Sequence, residues 1–233
     1  MFKKIISYLY PIPLHKTTSE VSKSLEVTMV NGEVVLDSLN TNYSYGSLQR
    51  ILRKGLLCIG FENIKPLNHV LVLGVAGGSV IKTLVDEIGY TGKITGIELD
   101  EKVIDLANEH FGLNKIKNLN IIHHEAFEFV LKTKMKYDLI IIDIFQDTVM
   151  PGFLFENFFQ NRLTEVLNSK GYILFNTMIL NTHDNARNKA YLSFFDTEKY
   201  KVWTLPRVEE HNELIIIKRK ITWYTNCMKN NQV

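Results

Sequence analysis

The fold is decided by residues 69–80, His-Val-Leu-Val-Leu-Gly-Val-Ala-Gly-Gly-Ser-Val. The apolar run over residues 69–73 predicts a short buried strand, and the glycines after it predict a tight turn into a helix. Glycine lets the backbone approach a ligand closely, and the first N–H groups of a helix carry partial positive charge. The pattern predicts a nucleotide site at Gly74, Ala76 and Gly78, although a strand-to-helix connection that binds nothing is typical of the same pattern.

Beyond this turn the chain alternates between apolar runs of strand length and amphipathic stretches of helix length. Further strands are predicted over residues 93–97, 119–123, 137–143, 172–176, 201–205 and 213–218. Helices are predicted over residues 78–88, 101–110, 126–132, 154–167 and 183–194. The alternation predicts an α/β fold with a doubly wound, Rossmann-like, mostly parallel sheet that binds ligands at the carboxyl ends of its strands.

Two features refine these elements. Residues 139–142, Leu-Ile-Ile-Ile, are the most apolar run and predict a central strand that is buried on both faces. Glycine suits the C-terminal end of a helix, so the helix over residues 154–167 is expected to end near Lys170-Gly171.

The N-terminal region has a pattern of its own. Residues 25–37 hold two β-rich runs around Asn31-Gly32, a preferred pair for a type I′ turn, and predict a β-hairpin. Residues 43–61 place apolar side chains on one helical face. The first 15 residues predict an N-terminal strand, with a secretory signal peptide as the alternative.

We therefore expect two parts: a small N-terminal β-hairpin plus helix region over residues 1–62, and a Rossmann-like nucleotide-binding domain over residues 63–233. The net charge of +2 gives no reason to expect a nucleic-acid partner. No apolar run approaches the roughly 20 residues that span a bilayer, so no membrane partner is expected. Cys58 and Cys227 lie far apart in no metal spacing and favour a reduced, cytoplasmic setting.

Glu98 ends the second predicted strand, about twenty residues after Gly78. An acid at this distance from a glycine turn is typical of a carboxylate that accepts hydrogen bonds from both vicinal ribose hydroxyls. Asp100 is expected to cap the helix that begins at Glu101.

Glu125 follows the third predicted strand. Its carboxylate either accepts a hydrogen bond from an adenine amino group or is a helix N-terminal acid favoured by the helix dipole, and the sequence leaves both open. His123 and His124 precede it, but adjacent strand residues point to opposite faces, so no metal site is expected.

Asp143 ends the central predicted strand. A carboxylate at the end of a buried strand is costly unless it is solvated or functional. We expect Asp143 to orient or deprotonate a nucleophile. Asp147 either assists Asp143 or caps a turn.

At these residues the chain resembles the spermidine synthase family, a branch of the class I S-adenosylmethionine-dependent methyltransferase fold, from about residue 25 to residue 176. The resemblance rests on the segments LEVTMVNGEVVLDSLNTNYSYGSLQRIL, HVLVLGVAGGSV, EAFEFV and DIFQDTVMPGFLFENFFQNRLTEVLNSKGYILFN. The last segment looks like a shorter, spermidine-synthase-like subgroup of unassigned activity.

The resemblance implies a role for each acid. Glu98 matches the family's ribose-binding acid, Glu125 its adenine-contacting Asp and Asp143 its catalytic Asp. Tyr45 lies near the family's tyrosine-histidine pair and is expected either to bind the amine acceptor or to serve in packing. Asp147 is offset by one residue from the second acid of the family and is the other candidate acceptor-binding residue. The resemblance also implies a homodimer contact through the N-terminal hairpin region.

The chain departs from the family at three places. Gly77 stands where aminopropyltransferases carry an acid that holds the free amine of the decarboxylated donor. Gly46 stands near the place of a family histidine, and the Asp-x-x-Asp-Pro pattern becomes Asp143-x-x-Gln146-Asp147. These departures leave the donor open between S-adenosylmethionine and its decarboxylated form.

Together these features predict a transferase that moves an aminopropyl group from decarboxylated S-adenosylmethionine to a small-molecule amine. An S-adenosylmethionine-dependent methyltransferase of unknown acceptor is the first alternative. A non-catalytic nucleotide-binding or interaction protein is the second. A dinucleotide oxidoreductase is disfavoured because the glycine turn lacks the G-x-G-x-x-G spacing.

Overall fold

The computed structural model describes residues 2–38, 42–44, 47–145 and 149–221 and contains two β-sheets with helices around them. The strands are β1 (Ile12–Thr17), β2 (Leu25–Val30), β3 (Glu33–Ser38), β4 (Asn42–Ser44), β5 (His69–Leu73), β6 (Lys93–Glu98), β7 (Leu119–His123), β8 (Tyr137–Ile142), β9 (Leu167–Met178), β10 (Tyr200–Val208) and β11 (Asn212–Arg219). The α-helices are α1 (Phe2–Ile6), α2 (Ser47–Ile59), α3 (Phe61–Ile64), α4 (Ser79–Lys82), α5 (Glu101–Phe111), α6 (Ala126–Lys132), α7 (Asn157–Val166) and α8 (Thr182–Ser193). A π-helical stretch, Thr83–Glu87, continues α4, and 3-10 turns lie at Leu113–Lys115 and Gly152–Phe155.

The larger sheet has seven strands in the order β10-β11-β9-β8-β5-β6-β7. Five of them, from β9 to β7, run parallel, and β11 and β10 extend the sheet in antiparallel fashion. This confirms the predicted α/β fold with its doubly wound, mostly parallel, Rossmann-like sheet. Parallel strands that are joined by right-handed crossovers have their carboxyl ends at one edge, where ligands bind.

Strands β5 and β8 lie at the centre of this sheet and are buried on both faces. They pair in parallel, with Leu71 opposite Ile140 and Val72 opposite Ile141, and all four side chains are fully buried. Alternate residues enter separate cores, so Val72 and Ile141 pack in one and Leu71 and Ile140 in the other. The predicted central strand is confirmed.

Helix α2 packs on one face of the larger sheet. Leu52 and Leu56 are buried there in the same core as Leu174 of β9 and Leu214 of β11. A Cβ atom at Gly55 would lie 2.5 Å from Leu174 Cδ1, so the helix approaches the sheet closely at this glycine. This contact fixes the start of α2 near the carboxyl edge of the strands.

The N-terminal region forms an antiparallel sheet, β1-β2-β3-β4. The hairpin predicted around Asn31-Gly32 is confirmed: both residues have positive φ, 50° and 78°, as a type I′ turn requires. Leu25 and Leu36 on the inner face of this sheet pack against Val103 of α5. The small sheet is thereby attached to the larger domain through α5.

The expectation of one strand over the first 15 residues is wrong. Phe2–Ile6 is helix α1, and the strand β1 begins only at Ile12. Tertiary hydrogen bonds fix the helical turn, because the Ser7 Oγ accepts from the Gly32 N–H at 2.9 Å and the Ser7 carbonyl accepts from the Asn31 N–H at 2.9 Å. A local pattern does not reveal such contacts with a distant hairpin.

The expected end of the helix near Lys170-Gly171 is also wrong. Helix α7 ends at Val166, and the chain passes directly into β9. Lys170 has a φ of 65°, and β9 is irregular here, since Leu167 pairs with Tyr137 and Tyr172 pairs with Leu139. The glycine therefore belongs to a bulge inside a strand and does not end a helix.

Within the described ranges, none of the helices combines the length and the apolar character that a membrane crossing requires.

Candidate active site

A cavity of about 540 Å³ opens at the carboxyl edge of the parallel strands. The turn after β5 and the ends of β6, β7, β8 and β9 form its inner walls. Val21, Leu48 and Ile51 from the N-terminal region form an apolar outer wall. The volume lies within the range of small-molecule sites.

The glycine turn lies against the end of β8. Gly74 has a φ of 87°, and a Cβ atom there would lie 2.2 Å from the Asp143 carbonyl oxygen, so no other residue fits. Ala76 also has a positive φ, 47°, and lines the cavity together with Gly74. Gly78, with a φ of 78°, precedes α4 and is not among the described residues that line the cavity; a Cβ atom there would lie 2.5 Å from Leu113 Cδ1. The turn thus brings the backbone that follows β5 next to Asp143, the candidate catalytic acid.

Glu98 joins the end of β6 to the glycine turn. Its Oε2 accepts hydrogen bonds from the N–H groups of Val75 and Ala76, both at 3.0 Å. Its Oε1 accepts from Leu99 N–H at 2.9 Å and Asp100 N–H at 3.1 Å. Burial raises the pKa of Glu98, and these four N–H donors act in the opposite direction. The side chain lines the cavity and also fixes the shape of the turn.

Asp143 lines the cavity at the end of β8. Its Oδ1 accepts a hydrogen bond from Asn176 Nδ2 at 2.9 Å. Burial raises the pKa of Asp143 to about 6; the Asn176 bond lowers it and the nearby charge of Glu98 raises it. A carboxylate with a pKa near neutrality is suited to accept a proton during a reaction.

Glu125 caps a helix and lines the cavity at the same time. Its Oε2 accepts from the Glu128 N–H at 2.7 Å at the start of α6. The carboxylate therefore has a structural role, and its position in the cavity wall keeps it within the candidate site. Asp100 caps α5 as predicted, accepting from the Lys102 N–H at 3.0 Å.

The two histidines bond different carbonyl groups. His123 Nε2 lies 2.9 Å from the Leu99 carbonyl oxygen, and His124 Nδ1 lies 3.0 Å from the Glu125 carbonyl oxygen. No group of three or more potential metal ligands occurs among the residues that the structure describes.

Two predicted site residues, Tyr45 and Asp147, lie outside the described residues. Asn176 and Asn212, in contrast, line the cavity and were not predicted. Asn176 had a recognisable signal, because it is a polar residue at the end of the apolar run Tyr-Ile-Leu-Phe that precedes it. Asn212 had none, since it lies beside Asn176 only through the antiparallel pairing of β11 with β9.

The charge of the cavity is one-sided. Glu98, Asp100, Glu125 and Asp143 line it, and the described lining residues include no lysine or arginine. Phe145, Pro151 and Phe153 lie after β8 and, with other apolar side chains, form the rest of the wall. The cavity is therefore suited to a ligand that combines positive charge with apolar surface.

The sequence model of the spermine/spermidine synthase domain matches residues 52–222. Among curated proteins, the polyamine aminopropyltransferase of Saccharolobus solfataricus is 28% identical over 143 residues, which cover 58% of this chain and 46% of that protein. The chain thus matches less than half the length of this relative.

Two solved structures share the fold. A spermidine synthase in complex with the transition-state analogue AdoDATO superposes with a TM-score of 0.63 at 16% identity, covering 90% of this chain and 74% of that chain. Human methyltransferase-like protein 13 in complex with SAH superposes with a TM-score of 0.62 at 18% identity, covering 77% of this chain and 85% of that chain.

Proposed function

The chain belongs to the spermine/spermidine synthase domain family, and we propose that it transfers an aminopropyl group from decarboxylated S-adenosylmethionine to a small-molecule amine. The observation that carries this proposal is the acidic cavity at the carboxyl ends of the strands. The donor is a cationic sulfonium and the acceptor is an amine, and both are attracted by an excess of carboxylates.

The acids divide between the two substrates in this proposal. Glu98 binds the ribose hydroxyls beside the backbone of Gly74 and Ala76, and Glu125 contacts the adenine amino group. Because Glu98 already accepts four N–H bonds, the ribose hydroxyls share its oxygens or displace some of these donors. Asp143 faces the acceptor.

The transfer is a substitution at carbon. The unprotonated acceptor nitrogen attacks the methylene carbon next to the positive sulfur, and a C–N bond forms. The C–S bond breaks, its electron pair goes to sulfur, and neutral methylthioadenosine leaves. The extra proton on nitrogen passes to the Asp143 carboxylate. The cavity walls contribute by aligning the nitrogen with the C–S bond.

The form of the donor follows from charge. S-adenosylmethionine carries a carboxylate, which four lining acids would repel and no described lysine or arginine in the wall would bind. The decarboxylated donor has no carboxylate, and its free ammonium adds a second positive charge. The cavity therefore favours the decarboxylated form.

Titration calorimetry with both donors tests this choice. We expect the decarboxylated donor to bind at least about tenfold more tightly, a difference of about 1.4 kcal/mol. In a turnover assay with that donor and putrescine or a longer diamine, we expect release of methylthioadenosine. Absence of methylthioadenosine with every amine offered, despite donor binding, would refute aminopropyl transfer.

The variant Asp143→Asn tests the catalytic role. We expect turnover to fall by about 10²- to 10⁴-fold, because asparagine cannot accept the proton. Donor binding should be largely kept, since three lining acids remain and the donor contacts proposed above belong to other residues. Unchanged turnover would remove Asp143 from the mechanism.

A methyltransferase is the second candidate, and Gly77 is the observation that favours it. In the resembling family an acid at this place holds the donor amine, whereas an uncharged glycine would not repel the carboxylate of S-adenosylmethionine. Consumption of S-adenosylmethionine with formation of S-adenosylhomocysteine would support this function over the first.

We also propose that the chain forms a homodimer through its N-terminal region, where Phe2, Ile5 and Leu9 are 77%, 63% and 75% exposed. Sedimentation equilibrium tests this, and a monomer at micromolar concentration would contradict it.

Two further proposals concern the division into residues 1–62 and 63–233 and the cytoplasmic location. Limited proteolysis tests the division, which predicts preferential cleavage near residue 62. Fluorescence microscopy of a tagged chain in cells tests the cytoplasmic location.

A further inference from the structure

Asn176 and Asn212 form a chain of amide hydrogen bonds that ends on Asp143. Asn212 Nδ2 donates to Asn176 Oδ1 at 3.0 Å, and Asn176 Nδ2 donates to Asp143 Oδ1 at 2.9 Å. Asn176 is fully buried and Asn212 is 9% exposed, so water competes little for these bonds. Asn212 lies in β11, Asn176 lies in β9 and Asp143 directly follows β8, and these three strands are adjacent in the sheet.

The direction of this chain depends on the ionisation of its last member. An ionised carboxylate only accepts hydrogen bonds, so Asn176 must turn its NH₂ group towards Asp143. Its carbonyl oxygen then faces Asn212, which must donate in turn. A protonated Asp143 can instead donate to Asn176, and both amides then reverse. Asn212 thus favours ionised Asp143 when it donates and protonated Asp143 when it accepts.

We infer that Asn176 and Asn212 are positioning residues that hold Asp143 in its ionised, proton-accepting form and in one orientation towards the acceptor. The catalytic consequence rests on the proposed function, whereas the coupling between the amides and the carboxylate does not. Because the hydrogen bonds run from Asn212 through Asn176, a substitution at Asn212 changes the hydrogen bonding of Asp143 without contacting it.

The charged neighbours of Asp143 define the background for this effect. Glu98, at the end of β6, raises the pKa of Asp143 through its charge. Asp100, His124 and Glu125 line the same cavity. Glu213 follows Asn212 in β11, but successive strand residues point to opposite faces, and its Oε2 accepts from Asn188 Nδ2 at 2.8 Å. The strands β5 and β9 on either side of β8 present the glycine turn and Asn176 to Asp143.

The near-isosteric variant Asn212→Asp tests the coupling. An ionised aspartate accepts only, so Asn176 turns its NH₂ group to position 212 and its oxygen to Asp143. We expect the pKa of Asp143 to rise by about one unit or more, since a hydrogen bond to a charged group is worth roughly that shift. The measurement is ¹³C NMR of carboxyl-labelled full-length chain, in which Asp143→Asn identifies the signal.

A double-mutant comparison separates the amide chain from simple charge repulsion. In an Asn176→Leu background, Asn212→Asp still adds a charge but can no longer act through Asn176. The inference requires a larger pKa rise in the native background than in this one. Equal shifts in both backgrounds would overturn it.

Asn212→Leu gives a neutral test that remains available if Asn176→Leu does not fold. It removes the donor to Asn176 without adding charge, and we expect a smaller rise in the pKa of Asp143. An unchanged pKa would overturn the inference.

Turnover provides an independent measurement. If aminopropyl transfer occurs, the acid limb of kcat/KM in Asn212→Asp should move to higher pH in step with the NMR value, with donor affinity retained. If the pKa of Asp143 shifts but the protein shows no turnover, the proposed function is rejected and the coupling through the two amides is supported. If the pKa of Asp143 shifts but the acid limb of kcat/KM does not, the positioning role is overturned.

Discussion

Asp143 links the structure to pH through a single carboxyl group. Its pKa in the folded chain, about 6, lies above the ordinary 3.8 because the group is buried beside Glu98. The folded chain therefore binds this proton more tightly than the unfolded chain. The stability that results is fully present below about pH 4 and is lost as the pH rises through about 6.

The variant Asp143→Asn tests whether ionisation of Asp143 destabilises the folded chain, because asparagine cannot ionise. At pH 8 we expect the variant to be more stable than the native chain by about 2 kcal/mol, which is less than the full shift because the largely buried carboxyl group lines a cavity open to solvent. At pH 4 the two should differ little. Urea unfolding at both pH values measures the difference, and a difference that does not vary with pH would contradict the raised pKa.

Glu125 caps α6 and, in the proposed function, also contacts the adenine amino group; a single substitution can separate these two roles. Serine is a good helix cap but is too short to reach an adenine amino group from the same backbone position. We expect Glu125→Ser to retain the stability of α6 and to weaken donor binding by about tenfold, the loss of one hydrogen bond. Urea unfolding of this variant measures its stability, and titration calorimetry measures its affinity for the donor. Unchanged donor affinity would leave Glu125 as a cap alone.

The turn between β5 and α4 is determined by backbone geometry. Gly74 has a positive φ, and any Cβ atom would collide with the Asp143 carbonyl oxygen. We expect Gly74→Ala to destabilise the chain by more than about 3 kcal/mol, because the backbone strain of about 1–2 kcal/mol is added to a steric clash.

Gly89 is the matched control for this turn. Its φ is 70°, but a Cβ atom there would meet nothing within 4 Å. Gly89→Ala should therefore cost only the strain of about 1–2 kcal/mol. Equal losses in urea unfolding of the two variants would show that the collision at Gly74 is relieved by backbone movement.

The two sheets depend on each other through the contact with α5. Leu36 of the small sheet is fully buried in the cluster that contains Val103, and Val103 itself lines the cavity. Asp100, the cap of α5, also accepts a hydrogen bond from Ser19 Oγ in the segment that carries Val21 into the cavity wall. The N-terminal region is thus part of the candidate site.

Substitution of Leu36 by alanine should loosen this contact. We expect a loss of about 2–4 kcal/mol in the free energy of unfolding, as for other buried leucines, together with weaker donor binding. Leu57, which is 47% exposed on α2, is the control, and Leu57→Ala should cost less than about 1 kcal/mol. If Leu36→Ala binds the donor normally, the small sheet does not shape the site.

The amino-acid sequence by itself determined the order of strands and helices from β5 onward, the glycine turn and the carboxylates at the strand ends. These features are local: hydrophobic periodicity and turn chemistry operate within a few residues, and the parallel topology then brings Glu98 and Asp143 to one edge. The hairpin at Asn31-Gly32 was predictable for the same reason.

Only the tertiary structure decided the features that join distant parts of the chain. The bond from Asn212 to Asn176 depends on the antiparallel addition of β11 to β9. The helical turn at the N-terminus depends on Ser7 reaching the hairpin, and the bulge at Lys170 depends on the register with β8. Each arises from packing and hydrogen bonds between residues far apart in sequence, which local propensity does not encode.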